Sequence, residues 1–297
     1  MIFLLVVDWI MKTTTDTPRG LQWTFTKRLE DLDFADDICL LSHNFQQMQE
    51  KTDRLHQIAQ TTGLTINVKK TKSMRINNAI TRSFTIQNEP IEDVSTFTYL
   101  GSITSISGGT EEDIRSRIGK ARHVFTTLRP IWKNKNIRLP TKLKLFNSNV
   151  ISTLLYGSET WIHTKALDEK LKVFVNTCLR QILQIRWPET ISNQDLWRTT
   201  RQVPITETIK KRKWRWIGYT LRKDPNSIVR QSLDWNPQGK RRRGRPVLTW
   251  RRTLDKELKT LSLSWNEAKA RAQDRPRWRK VVDDLCPIGG EEDLVSN

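Results

Sequence analysis

The spacing of apolar residues changes near residue 109 of this 297-residue chain. Before that point, short apolar runs alternate with polar residues, which is typical of β-strands. One longer amphipathic stretch, 44–62, predicts a helix that ends before Gly63. The predicted strands are 21–29 and 97–103, and 84–91 is predicted to form a β-hairpin. Beyond Gly109 the apolar period is that of helices, so the predicted fold class is α+β.

The helical part begins at Thr110-Glu111-Glu112-Asp113, which matches a capping box with acidic residues at the positive end of the helix dipole. Its apolar stripe ends at Pro130. Further helices are predicted at 141–156, 165–185, 193–200, 205–222, 247–261 and 265–285. Short connections between the first three helices predict a bundle.

Two adjacent carboxylates, Asp36 and Asp37, interrupt two apolar runs between Leu32 and Leu41. The runs suit strands, so we predict a β-hairpin with both carboxylates at its tip. Like charges side by side are tolerated in water or around a cation, and Mg²⁺ binds carboxylates together with substrate phosphates. From these residues alone, a solvated turn and a metal site both remain open.

Three stretches, 32–41, 63–72 and 97–102, follow one another in an order and spacing that can be compared with known enzymes. They resemble motifs C, D and E of the reverse transcriptases of non-LTR (LINE-type) retrotransposons, often named endonuclease-reverse transcriptases. Stretch 154–161 is similar to the thumb signature of that family. Stretches 212–218 and 239–246 look like its basic C-terminal segments. The resemblance therefore covers nearly the whole chain.

The resemblance implies an architecture and a reaction. The fold would be a truncated right-hand polymerase: a partial palm in 1–109, a helical thumb-like bundle in 110–188, and a basic, Trp- and Arg-rich, mostly helical region in 189–297 with a linker near 236–246. The family synthesises DNA on an RNA template by two-metal nucleotidyl transfer with Mg²⁺. RNA template and DNA primer or target DNA would be the partners, and Asp36 and Asp37 would be catalytic metal ligands.

Two further sets of residues gain a role from the resemblance. Lys70 matches the motif D lysine that protonates the pyrophosphate leaving group, whereas on charge alone it belongs to a solvated basic loop. Tyr99, Leu100 and Gly101 match the primer grip, which positions the primer 3′ end. The alternative for this segment is a plain edge strand of the sheet.

Other parts of the family's active site have no counterpart in these residues. Phe3–Met11 resembles the helix that follows motif B, but the fingers, the motif A aspartate and the motif B loop are missing. Two-metal transfer needs carboxylates from two strands, and neither Asp8 nor Asp16 has a strand pattern around it. We therefore expect little or no polymerase activity from this chain alone. In the full-length element an upstream polymerase or endonuclease portion would be its partner.

Charge supports a nucleic-acid partner independently of the resemblance. The net charge is +19, and it is unevenly distributed: residues 1–109 carry 11 Lys and Arg against 12 Asp and Glu, whereas the remainder carries 40 against 20. Ten of the 12 Trp also lie in the basic part, most of them predicted to be core residues. Five basic residues are predicted on the polar side of the first thumb helix, facing either phosphates or water: Arg115, Arg117, Lys120, Arg122 and Arg129.

The C-terminal region adds further candidate phosphate contacts. Lys211 and Lys213 lie in a run too charged to be buried on all sides, and Arg241, Arg242, Arg243 and Arg245 form the densest basic segment. That segment is a nuclear localisation signal, a minor-groove contact of the AT-hook type, or a flexible tether. We therefore keep a second hypothesis of another class, a non-catalytic basic nucleic-acid-binding protein. A third is a decayed fragment that does not fold stably.

The chain has three cysteines, Cys39, Cys178 and Cys286, which lie far apart in the sequence. An odd number at this spacing predicts a protein of a reducing compartment, without disulfides and without a zinc knuckle. The apolar opening lacks a basic n-region and a cleavage site and is interrupted by Asp8, so it is not expected to be a signal peptide or a transmembrane segment. The predicted location is intracellular, nuclear and cytoplasmic, without membrane attachment.

Overall fold

The computed structural model of the chain describes residues 2–76, 82–106, 108–235 and 248–287. The chain divides into two compact units, Met1–Gly108 and Gly109–Asn297. The first combines helices with small sheets and the second is helical, so the fold is of the α+β class. No helix in these described ranges is long and apolar enough to cross a membrane.

The first unit is built on two helices and ten short strands in its described part. The helices are α1 (Ile2–Thr14) and α2 (Phe45–Thr61), and the strands are β1 (Leu21–Gln22), β2 (Arg28–Leu29), β3 (Asp31–Phe34), β4 (Asp37–Leu40), β5 (Lys72–Ser73), β6 (Thr85–Ile86), β7 (Glu89–Pro90), β8 (Glu92–Asp93), β9 (Thr96–Tyr99) and β10 (Ser102–Ser105). The described strands form five two-stranded sheets, antiparallel except for β5 with β8. A continuous palm sheet is therefore not formed by these strands.

The core of the first unit lies between its two helices. Ile10 and Met11 of α1 pack with Leu55 and Ala59 of α2. Asn44 caps α2, and its side chain accepts a hydrogen bond from the amide of Gln46. The helix predicted at 44–62 is thus present, because its apolar period and its cap residue are both local signals.

Two strand predictions in the first unit were wrong. The stretch 21–29 is not one strand but the pair β1 and β2, and Phe25 in the connection is 97% exposed. The stretch 97–103 is a hairpin of β9 and β10, with Leu100 and Gly101 in the turn at positive φ. Alternating side chains continue across a tight turn, so periodicity alone does not reveal where the chain reverses.

The second unit contains eleven α-helices among its described residues. They are α3 (Glu111–Thr127), α4 (Arg129–Lys133), α5 (Leu139–Leu145), α6 (Ser152–Leu154), α7 (Lys165–Ile182), α8 (Asn193–Thr200), α9 (Ile205–Leu221), α10 (Ile228–Ser232), α11 (Trp250–Lys259), α12 (Trp265–Ala272) and α13 (Arg275–Leu285). A π-helical segment, Phe146–Ile151, joins α5 to α6, so the predicted helix at 141–156 is one helical run with a wider turn in it.

Helix α9 belongs to both hydrophobic cores of the second unit. Its first half places Ile205 and Ile209 in a core formed mainly by α3, α5, the π-helical segment and α7. Its second half places Trp214, Ile217 and Leu221 in a core with α11, α12 and α13. The first core therefore extends beyond residue 188, the predicted end of the thumb-like bundle.

Two helix details of the second unit differ from the predictions. Thr110 makes no capping hydrogen bond and instead donates to the Ile162 carbonyl at 3.0 Å. Asp113, predicted in the capping box, is buried and accepts from the Trp161 indole at 2.8 Å. The helix predicted at 265–285 is broken into α12 and α13 because Asp274 caps a new helix that has proline in its first turn.

Candidate functional site

The two predicted metal ligands lie at the tip of a β-hairpin. Strands β3 and β4 pair in antiparallel register with Phe34 opposite Asp37, so Ala35 and Asp36 form the two-residue turn. Ala35 takes the positive φ of 58° that such a turn requires. Asp36 and Asp37 are both exposed, which leaves their carboxylates open to a cation or to water.

The hairpin carries two more carboxylates, but on its opposite face. Opposed residues of an antiparallel pair share a face, so Asp37 lies with Phe34, whereas Asp31 and Asp33 lie on the other side. Burial of Asp31 raises the pKa of its carboxyl, and the negative charge of Asp33 raises it further. The described residues contain no group of three or more His, Cys, Asp or Glu side chains arranged for a metal ion. In the described part of the chain, Asp36 and Asp37 therefore have no third such side chain arranged with them.

Tyr99 brings the predicted primer-grip hairpin against the acidic hairpin. Its hydroxyl donates to the Leu32 carbonyl at 2.9 Å and lies 3.4 Å from the Asp37 carbonyl. Burial raises the pKa of Tyr99, and the acidic groups of Cys39 and Asp37 raise it further, so the phenol stays protonated and can donate. Leu100 and Gly101 form the turn next to it.

Lys70 is exposed in the turn that follows α2. Its backbone amide donates to the Asn67 carbonyl and to the Asn67 side-chain oxygen, both at 3.1 Å. These bonds fix the turn and leave the ammonium group in solvent. Among the described residues, the side chain makes no hydrogen bond or ion pair with the acidic hairpin. The structure therefore does not bring Lys70 together with Asp36 and Asp37.

A buried ion pair at the base of the hairpin was missed by the sequence analysis. The Lys51 ammonium donates to the Glu30 carboxylate at 2.6 Å, to the Glu30 carbonyl at 3.1 Å and to the Leu41 carbonyl at 2.9 Å. Only 1% of the Lys51 side chain is exposed. A signal was available, because Lys51 falls on the apolar stripe of α2 between Met48 and Leu55.

The carboxylate of this pair also organises the preceding loop. The backbone amides of Arg19 and Gly20 donate to Glu30 at 2.8–3.0 Å. A Cβ atom on Gly20 would lie 2.0 Å from the Leu29 carbonyl oxygen, so only glycine fits there. Burial opposes ionisation of Glu30, but the hydrogen bonds from Lys51, Gly20 and Arg19 outweigh it and lower its pKa. The ion pair thus fixes the strands that carry Asp36 and Asp37.

The basic residues predicted on the polar side of α3 differ in burial. Arg115, Lys120 and Arg122 are exposed on α3, and Arg115 pairs with Glu111 at 2.7 Å. Arg117 is buried, with its guanidinium 4.5 Å from the centre of the Tyr156 ring. An anion can reach each of the exposed three, of which Arg115 and Arg122 share one side of α3, whereas Arg117 is buried beside Tyr156.

The two lysines predicted on α9 do not form an open basic surface. Lys213 is 1% exposed along its side chain and pairs with Glu257 at 2.6 Å, a position that does not fit the predicted contact with phosphate. Lys211 pairs with Asp283 at 2.9 Å. Helical periodicity turns part of any charged run inward, and in this run Lys213 is buried together with Trp214. Arg241, Arg242, Arg243 and Arg245, with the predicted linker, lie outside the described residues.

Comparison with known proteins adds two findings. Residues 124–156, from the end of α3 to the segment after α6, match the protein family described as "Domain of unknown function (DUF6451)". The chain is also similar to a Caenorhabditis elegans protein named "Putative uncharacterized transposon-derived protein". The two are 28% identical over 277 residues, which cover 86% of this chain and 96% of the relative. This similarity fits a transposon-related origin of the chain.

Proposed function

We propose that the chain derives from the RNA-directed DNA polymerase of a non-LTR retrotransposon. One observation carries this proposal: the Tyr99 hydroxyl contacts the backbone of Leu32 and Asp37. Two segments more than sixty residues apart, each resembling a different palm motif, thereby meet at one place. The transposon-derived relative supports the same origin.

In this proposal Asp36 and Asp37 hold one side of a magnesium site. Mg²⁺ bound there would neutralise negative charge on the phosphates of the incoming nucleotide. Tyr99 would keep the primer-grip hairpin against the metal-binding hairpin. The role of Lys70 as proton donor to the leaving pyrophosphate rests on the resemblance alone, because the described structure does not bring it to Asp36 and Asp37. Asp31 and Asp33 do not serve as the carboxylates of a second strand, because they lie on the opposite face of the same hairpin. We therefore expect the chain alone to extend a primer poorly or not at all.

A metal titration tests the two-carboxylate site. We expect an Asp36→Asn/Asp37→Asn variant to lose the Mn²⁺ binding that the unaltered chain shows by electron paramagnetic resonance. Outer-shell changes alone weaken metal sites by about tenfold, so removal of two ligand charges is expected to cost at least that much. The matched control is Asp31→Asn/Asp33→Asn, which removes the same charge from the same hairpin on its other face. Equal Mn²⁺ affinity in both variants would contradict the proposal.

A second function is favoured by a different observation. The chain beyond residue 109 carries 40 basic against 20 acidic residues, and Arg115, Lys120 and Arg122 are exposed on α3. These features suit a nucleic-acid-binding protein without catalysis, whose affinity would need no metal ion and would fall steeply with salt.

Filter binding of an RNA template annealed to a DNA primer tests this second function. Replacing Arg115, Lys120 and Arg122 by glutamine is expected to lower the slope of log affinity against log salt by about 2 to 3, because each phosphate that is no longer neutralised accounts for about 0.9. The control is Lys12→Gln/Lys172→Gln/Arg198→Gln, which removes three positive charges outside α3 from residues that, like Arg115, pair with a carboxylate. An equal change of slope in both variants would refute a specific role for α3.

A further inference from the structure

A second basic surface lies where the end of α9 meets the start of α13. We propose that this surface, the α9–α13 face, binds a single nucleic-acid strand. It consists of Arg215, Tyr219, Arg222, Lys223 and Arg275. The proposal rests on the proposed nucleic-acid binding by the second unit and adds a site apart from α3. Of these five residues, only Arg215 lies in the charged run 210–216 that was predicted from the sequence to face phosphate or water.

The α9–α13 face is held in place by close packing on its inner side. A Cβ atom on Gly218 would lie 1.9 Å from the indole nitrogen of Trp278, so the two helices approach too closely for any other residue at position 218. The Trp278 indole donates to the Trp214 carbonyl at 3.0 Å. Arg215 and Tyr219 directly follow Trp214 and Gly218 in the sequence, so they lie about 100° further round α9, and both are exposed to solvent.

The charges of this face are only partly neutralised. The Arg222 guanidinium is fixed by a hydrogen bond to the Ala272 carbonyl at 3.0 Å. Burial lowers the pKa of Arg222, and the nearby positive charge of Arg275 lowers it further. Within the described ranges, Arg215, Arg222 and Arg275 form no ion pair. A phosphate placed between Arg222 and Arg275 would relieve their repulsion and accept charge-assisted hydrogen bonds.

Two carboxylates next to this face already form ion pairs with other residues. Asp283 pairs with Lys211 at 2.9 Å, and Asp274 pairs with Arg277 at 3.3 Å while capping α13. These two acidic side chains are thus engaged beside the face and do not cover it.

Tyr219 determines which form of nucleic acid suits this face. The residue is 60% exposed, and the Lys223 ammonium lies 5.2 Å from the ring centre. An exposed aromatic ring among cations is the arrangement on which unpaired bases stack. A duplex keeps its base faces covered by neighbouring pairs. The ring therefore favours a single strand, of either RNA or DNA.

Fluorescence anisotropy with labelled oligomers of about 20 nucleotides and the full chain tests the proposal, since one such strand is longer than a typical single-strand site. The probes are oligo-dT, oligo-U and a duplex of oligo-dT with oligo-dA. Tyr219→Ala is expected to weaken binding of the single strands about fivefold or more, and Tyr219→Phe is expected to restore it because the ring is kept. Arg215→Gln/Arg275→Gln is expected to lower the slope of log affinity against log salt by about 1.4, about 0.7 for each phosphate of a single strand.

The control is Arg198→Gln, an exposed arginine of α8 that pairs with Asp195 at 3.0 Å. The proposal that the α9–α13 face binds nucleic acid would be overturned if the Tyr219→Ala and Arg215→Gln/Arg275→Gln variants kept the single-strand affinity and salt slope of the unaltered chain. The α3 variant would still test the proposed function separately. Duplex binding tighter than single-strand binding and insensitive to Tyr219→Ala would overturn the single-strand assignment. If the unaltered chain bound none of the probes, both proposals would fail. Comparison of oligo-U with oligo-dT distinguishes RNA from DNA.

Discussion

Replacing Glu257 by leucine is expected to destabilise the second unit by about 3–5 kcal/mol, because it leaves a buried charge without a partner. Glu257 of α11 accepts from the Lys213 ammonium and from the Trp214 indole, both at 2.6 Å. Lys213 is 1% exposed and Glu257 18% exposed along their side chains. In the variant, the Lys213 ammonium group and the Trp214 indole N–H would therefore both be buried without a hydrogen-bond acceptor.

Urea unfolding followed by tryptophan fluorescence measures this loss, since ten of the 12 Trp lie beyond residue 109. The double variant Lys213→Met/Glu257→Leu replaces the pair by apolar side chains and is expected to recover most of the stability. Arg198→Ala, which breaks the exposed pair with Asp195, is the control and is expected to cost less than about 1 kcal/mol. A Glu257→Leu variant as stable as this control would show that Lys213 reaches water.

Helices with a regular apolar stripe could be predicted from the sequence. Helix α7 runs over Lys165–Ile182, and Leu171, Phe174 and Cys178 are buried, as the spacing indicated. The period of a helix is set by residues within one or two turns, so a local pattern is enough to find it. Most tryptophans beyond residue 109 followed the prediction as well: four are buried in the two cores and four more pack against them partly buried, whereas Trp187 is 89% exposed.

Contacts between distant segments could not be predicted in the same way. The partner of Lys213 is 44 residues away, and the contact of Tyr99 with Leu32 spans 67 residues. The hairpin of Asp36 and Asp37 was visible because its strands and turn are adjacent in sequence. Its position beside Tyr99 depends on tertiary packing, which cannot be predicted from the local pattern of apolar and polar residues. The sequence therefore indicated where candidate chemistry lies, but not which residues support it.

Replacing Lys51 by methionine is expected to destabilise the first unit by about 3 kcal/mol or more. The change removes three hydrogen bonds from the Lys51 ammonium to Glu30 and Leu41, and it leaves the Glu30 carboxylate, 14% exposed, without its counter-ion. Because Glu30 joins the loop at Gly20 to the strands below Asp36, the acidic hairpin is expected to loosen with it.

Hydrogen exchange by mass spectrometry reports this loss directly on α2, Phe45–Thr61. A destabilisation of about 3 kcal/mol corresponds to amide exchange about a hundredfold faster. The control is Lys12→Met, which removes an exposed lysine paired with Asp8 at 2.6 Å and is expected to leave exchange in α2 unchanged. Equal protection in both variants would mean that Lys51 does not stabilise this unit.

The effect of Lys51→Met is expected to depend on pH through Glu30. In the unaltered chain the pKa of Glu30 is below its ordinary value of 4.5, so this carboxylate stabilises the fold above about pH 4.5 and ceases to do so as the pH falls through the lowered value. Without Lys51, the hydrogen bond and the positive charge that lower the pKa of Glu30 are lost, so the carboxyl takes up a proton at higher pH than in the unaltered chain, which relieves the unpaired charge. The difference in exchange between variant and unaltered chain is therefore expected to be largest near pH 7 and to shrink below about pH 4.5. If the difference in exchange stayed constant over this pH range, the loss of stability would come from packing of the Lys51 side chain and not from its charge.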